Sequence, residues 1–316
     1  MENVRVGVIG LGAIGERLIQ GFNSNKNTIV QAVVDTDKER VTRMVDKLGG
    51  INGYNNHKDM LAKEELDLVY VAVPPKYHHA VTMDVIKKGI HVLCEKPLAN
   101  SVGEAKEMLE QAEKAKIIHA MNFPLNYRSP ANTFERMIKE GYIGKLRKLE
   151  LSMNFPNWPR LWQQNEWVAG REQGGFVLEV GVHFIQLTQR IFGSITHKTS
   201  KLEFPEDTSK CETGVIATLE FEDGTPFLIN GISQVSGMER IAYTAYGTEG
   251  TLSLVDWGKL EGGKLGEEIQ PIETGNEETS TLIDHLVTAI LGKDSHLYTF
   301  KDGYKAQVIL EKLRNK

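Results

Sequence analysis

Only two cysteines occur in 316 residues, Cys94 in an apolar stretch and Cys211 in a polar one. That excludes a disulfide framework and a cysteine-rich metal site, and leaves Cys94 as a small buried hydrophobe. No apolar run approaches the roughly 20 residues that span a bilayer. Met1 leads within a few residues into the strand-like VRVGVIG, without a charged start, apolar stretch and cleavage site, so a cytoplasmic protein with no membrane partner is expected. Neither sign of charge dominates, with 37 basic against 42 acidic residues. Nothing here suits nucleic acid, and a small-molecule partner is expected. Repeats, low-complexity tracts and Pro/Gly/Ser linkers are also missing. Since single cores stop growing at about 250 to 300 residues, two domains with a firm interface are expected, with ligand bound between them.

What is present divides near Phe123. Before it, the apolar runs VRVGVIG, IVQAVVD, a short run around Tyr54, LDLVYVAV, HVLC and IIHAMNF alternate with amphipathic segments such as VGEAKEMLEQAEKAK. That alternation predicts an α/β, doubly wound parallel sheet. After it come the helical PANTFERMIKEG and the strand-like KLRKLELSMNF, ETGVIATLEFEDG, PFLINGISQVS, ERIAYTAYG and GTLSLVD, with turns at Asp223-Gly224 and Gly247 to Gly250. These predict an α+β domain with a large, mostly antiparallel open sheet. Two helices near TLIDHLVTAIL and GYKAQVILEKL close the chain. The boundaries are 1–123 and 124–316, the last helices being candidates to pack back on the first domain.

Directly after the first strand stands Gly10-Leu-Gly12-Ala13-Ile14-Gly15. The first glycine allows a tight turn, the second lets backbone approach a pyrophosphate, and the third lets helix pack on strand. The next strand ends in Asp35, an acid placed to bind an adenosine ribose and to repel a 2′-phosphate. NAD is therefore expected over NADP, although Arg40, a turn beyond Thr36, is within reach of a phosphate.

Ligands of such sheets lie beyond the carboxyl ends of the strands, where VYVAV-Pro74-Pro75 and HVLC-Glu95-Lys96-Pro97 both finish. The prolines stiffen these loops. Taken alone, Lys96 reads as a strand end reaching water, and His78 and His79 as structural or as orienting the cofactor loop. In the second domain Gly174-Gly175 precede a helical segment in which Glu179, His183, Gln186 and Arg190 recur at spacings of four, three and four, opposite an apolar stripe of Phe176, Val180, Phe184, Leu187 and Ile191. Either that polar face meets water, or it lines a ligand site with His183 as acid/base. One Glu and one His make too few ligands for a metal, and none is expected. Trp158, Trp162 and Trp167 offer either packing anchors or surfaces for a sugar ring.

These three signals in this order resemble the glucose-fructose oxidoreductase and inositol dehydrogenase (Gfo/Idh/MocA) family over essentially the whole chain. The resemblance implies an NAD-binding Rossmann domain and a substrate-binding, oligomerising domain. It also implies hydride transfer between NAD and a secondary alcohol of a sugar, inositol or related polyol, in a homodimer or homotetramer. Lys96 and His183 match the catalytic lysine and histidine. Glu179 stands where many members have aspartate and Gln186 where an aspartate often follows, so Glu179 either binds a substrate hydroxyl or orients His183. The cofactor set comprises Gly10, Gly12, Ala13, Ile14, Gly15, Asp35, Pro74, His78, Glu95 and Lys96. The substrate set adds Asn126, Arg128 and Trp162 to Lys96, Glu179 and His183. Members that use bound NAD transiently to hydrolyse or epimerise glycosides share these motifs, and a non-catalytic dinucleotide sensor is the contrasting reading.

Overall fold

The computed structural model describes residues 3–163, 165–275 and 280–314. Met1–Phe123 groups with Ser280–Gln307 in one compact unit, and Pro124–Thr279 with Val308–Lys316 in another. In the first, β1 (Val4–Ile9), β2 (Thr28–Val34), β3 (Asn52–Tyr54), β4 (Leu68–Val71), β5 (His91–Cys94) and β6 (His119–Met121) form an all-parallel sheet ordered β3-β2-β1-β4-β5-β6. Every residue of β4 is buried, as a strand covered on both faces must be, and so it reads as an unbroken apolar run. Strand order reverses between β1 and β4, and the glycine loop leaves β1 at that switch point.

The second unit holds an eight-stranded sheet of β7 (Leu146–Phe155), β8 (Ile195–Glu203), β9 (Gly214–Phe221), β10 (Pro226–Ser233), β11 (Arg240–Gly247), β12 (Gly250–Val255), β13 (Lys259–Lys264) and β14 (Gln270–Ile272). Its order is β14-β13-β12-β11-β7-β10-β9-β8, and only β7 and β10 pair in parallel among these strands. On β7, Leu149, Leu151, Met153 and Phe155 alternate inward. Tyr243 on β11 joins Phe134, Phe184 and Phe227 on the same buried side. Ile216 and Ile232 remain exposed. Among the described residues no helix is long and apolar enough to cross a membrane.

The Glu179–His183 segment departs from a plain helix. Val177–Gly181 forms a π-helical turn that runs into an α-helix at Val182–Phe192. Every residue from Gln173 to Thr188 is buried, so the reading in which the polar face meets water is overturned.

Candidate functional site

In the first unit, each glycine of the loop has a distinct steric position. Gly10 sits at φ +103°, and a Cβ there would lie 2.4 Å from the Ala72 carbonyl oxygen. A Cβ on Gly15 would lie 2.1 Å from the oxygen of Gly10. These two are required by the protein itself. Gly12 is different: its φ is −72°, and a Cβ there would meet nothing within 4 Å. The space beside it is open, and the helix Ala13–Ser24 that it begins has no side-chain cap. That combination suits an anion seated on helix amides.

Asp35, at the end of β2, accepts from the backbone N–H of Leu11 at 2.8 Å through Oδ2 and from that of Asp37 at 2.9 Å through Oδ1. The acid is thereby locked against the glycine loop. Arg40 Nη1 lies 3.8 Å from Asp35 Oδ2, and its Nε lies 3.4 Å from Asp37.

At the ends of β4 and β5 the strand does not run out into water as its charged pair suggested. Glu95 is buried, as are Pro97 to Ala99, with Lys96 half-buried between them. Glu95 Oε1 accepts from Tyr70 Oη and Asn122 Nδ2, both at 2.5 Å, and its Oε2 accepts from the Lys96 N–H at 3.3 Å. Three adjacent strands thus contribute to one polar cluster beneath Lys96. Asn122 was missed in the sequence; its Oδ1 is buried without a hydrogen-bond partner, and only the β5–β6 register places it here. His78 is fully buried, with Nδ1 2.8 Å from the Pro97 oxygen and Nε2 2.8 Å from the Val73 oxygen. It ties the loop after β4 to the loop carrying Lys96. Burial, reinforced by the Lys96 charge, holds the imidazole below its usual pKa against the pull of those carbonyls. The Lys96–Pro97 peptide is cis. Pro74 accepts from the Tyr77 N–H, and His79 pairs with Glu107 at 2.9 Å on the surface.

Burial raises the Glu95 pKa above the ordinary carboxylate value, outweighing the hydrogen bonds from Tyr70 and Asn122 and the Lys96 charge. A carboxyl whose folded pKa exceeds its unfolded value of about 4.3 contributes stability that is full below that value and lost as pH rises through the folded pKa. Glu95→Gln removes this loss. Denaturant midpoints of wild type and variant should therefore diverge in the variant's favour as pH climbs from the carboxylate range; a gap independent of pH would refute the buried charge.

In the second unit the four polar side chains of the helical face each meet a partner. Gln163 Nε2 donates to Glu179 Oε2 at 2.9 Å. Asn126 Nδ2 donates to Gln186 Oε1 at 2.6 Å, and its own Oδ1 accepts from Arg190 Nη1 at 2.9 Å. Arg190 also meets Asn132 at 3.0 Å and pairs with Glu135. Against His183 stands the ring of Trp257, 5.4 Å away and nearly perpendicular. Arg128 Nη1 donates to the Trp257 carbonyl at 3.3 Å. Asn126 and Arg128 thus contribute to the framework around this face. Trp162 is 51% exposed, with the Arg160 guanidinium over its ring, while Trp158 is buried against Phe155 and Phe176. Gln163, Trp257 and Glu212, whose carboxylate accepts from the Val177 N–H at 2.8 Å, gave no sequence signal, being 16, 74 and 35 residues from Glu179, His183 and Val177, which they meet.

Residues 4–123 match the model of an oxidoreductase family with an NAD-binding Rossmann fold, and residues 132–253 match a GFO/IDH/MocA C-terminal domain. A myo-inositol 2-dehydrogenase of Thermotoga maritima is 27% identical over 190 residues, covering 60% of this chain and 55% of that enzyme. The WlbA dehydrogenase of Bordetella pertussis, solved with NADH and UDP-GlcNAcA, superposes with a TM-score of 0.86 at 17% identity, covering 99% of this chain and 96% of that one. KijD10, a 3-ketoreductase of Actinomadura kijaniata solved with NADP and TDP-benzene, gives a TM-score of 0.86 at 20% identity over 99% and 98% of the two chains. The two structural likenesses establish the shared fold.

Proposed function

We propose, from the premise that the chain belongs to the GFO/IDH/MocA oxidoreductase family, that it is an NAD-dependent dehydrogenase of a secondary alcohol in a sugar, inositol or related polyol. The observation that carries this reading is the open space beside Gly12 at an uncapped helix start, with Asp35 locked beside it. Gly10, Gly12, Ala13, Ile14 and Gly15 would hold the pyrophosphate and Asp35 the adenosine ribose. Bound there, the dinucleotide supplies a hydride acceptor or donor. The chain's own residues handle charge and protons: the Lys96 ammonium stabilises the developing alkoxide, and His183 takes up the hydroxyl proton or returns it. Glu179, fixed by Gln163, binds a neighbouring hydroxyl. The exposed Ile216 and Ile232 support assembly of copies through the open sheet.

Turnover of at least one secondary alcohol is expected when protein and NAD meet a panel of sugars and polyols, read as absorbance of the reduced nicotinamide. Tight dinucleotide binding with no turnover of any alcohol or carbonyl compound would leave a sensor instead. Cofactor choice has its own test. Asp35→Asn keeps an acceptor for Leu11 and removes the charge that repels a 2′-phosphate, leaving Arg40 to meet it. The ratio of kcat/KM for NADP to that for NAD should rise by about tenfold, the worth of one partly shielded charge contact; an unchanged ratio would reject Asp35 as the discriminator.

A further inference from the structure

The hairpin joining β12 to β13 turns through Asp256 at φ +48° and Trp257 at φ +67°. Two consecutive left-handed residues are the geometry for which hairpins favour Asn-Gly or Asp-Gly, because glycine alone adopts it without steric cost. Asp256 fits, since short polar side chains tolerate this region and its Oδ1 accepts from the Ile241 N–H at 3.1 Å. A tryptophan at the second position is a costly choice for the turn. Such strain persists where surrounding structure holds it, and it collects at functional sites. Here Arg128 holds the Trp257 carbonyl, and the indole sits 5.4 Å from His183 and 5.2 Å from Phe184. Trp257 is only partly buried where it meets the imidazole.

We infer that Trp257 is a specificity-determining residue of the same site, offering its indole to the apolar face of a cyclic sugar or cyclitol while fixing the His183 ring. This rests on the function proposed above. Aromatic surface pairs with the C–H face of a ring, whereas an open-chain polyol presents no such flat face. The chain keeps tryptophan at a strained turn because glycine would lose both contacts.

Trp257→Gly makes the turn Asp-Gly and separates a ligand role for the indole from a purely structural one. Three properties of wild type, Trp257→Gly and Trp257→Phe are compared: melting temperature, calorimetric affinity of the NAD-loaded protein for myo-inositol, methyl glucoside and sorbitol, and, where turnover exists, the pH profile of kcat/KM. The glycine variant should melt at or above the wild-type temperature, lose about tenfold in affinity for the cyclic probe that wild type prefers, and shift its pH profile. Phenylalanine should recover part of the affinity. Wild-type affinity in the glycine variant, a drop of many degrees in its melting temperature, equal loss for sorbitol, or no binding of either cyclic probe by wild type would overturn the inference. Cyclic probes bound without hydride transfer, with affinity still lost in the glycine variant, would sink the dehydrogenase reading and sustain the role of Trp257.

Discussion

Lys96→Ala should lower kcat by about two to four orders of magnitude while the dissociation constant for NAD stays within a few-fold of wild type. The size follows from removing a preorganised cation aimed at developing negative charge, a contribution of roughly 10² to 10³ for a single donor and more where proton transfer is coupled to it. The selectivity follows from position. The glycine loop and Asp35, proposed to hold one end of the dinucleotide, follow β1 and β2, whereas Lys96 leaves the sheet after β5. Its main chain is fixed from both sides, by Glu95 on its N–H and by His78 on the Pro97 oxygen. Truncating the side chain therefore leaves the loop in place. Single-turnover rates and NAD titration on the same preparation check the result. A variant with comparable turnover would end the assignment of Lys96, and one that loses NAD binding in proportion would make Lys96 a cofactor ligand only.

The parallel half of the fold was legible because strands buried on both faces appear as uninterrupted apolar runs, as LVYV of β4 does. The open sheet was legible only in its middle. β8, an edge strand of sequence ITHKTSKLE, is paired on one side and largely exposed, so it lacks an apolar alternation. β13 reads KLEGGK, and at Gly263 a Cβ would lie 2.7 Å from the Glu268 carbonyl oxygen; low strand propensity concealed it. Helical spacing grouped Glu179, His183, Gln186 and Arg190 on one face but could not say what covers them. Gln163, Asn126, Glu135 and Trp257 come from four different segments. The surroundings of Glu95 were hidden for the same reason: Tyr70 and Asn122 stand 25 and 27 residues away, and only strand register brings them to its carboxylate.

The same kind of distant contact makes Glu212 the residue whose loss should cost the second unit most. It is 2% exposed, and its Oε1 accepts from the Val177 N–H at the start of the turn leading to Glu179 and His183. Arg314, which donates to the Arg171 oxygen at 2.7 Å, supplies the compensating charge, and burial lowers its pKa against the opposing pull of Glu212. The Gly-Gly pair exists partly for this acid: Gly175 has φ +99°, and a Cβ there would fall 2.2 Å from Glu212 Oε2. Glu212→Ala leaves a buried N–H without an acceptor, a loss of about 1 to 3 kcal/mol. Set against a total stability of roughly 5 to 15 kcal/mol, this should lower the denaturation midpoint steeply. Glu212→Gln retains an oxygen for Val177 and avoids burying a charge whose pKa is already raised by burial, so it should lose less. Because the glutamine keeps the contact that holds the helix start, it should also keep kcat near wild type, whereas any alanine variant that folds should lose kcat as His183 is less firmly placed. An alanine variant that unfolds with wild type would show that the helix start is held by its other contacts, and that Gly175 serves the backbone alone.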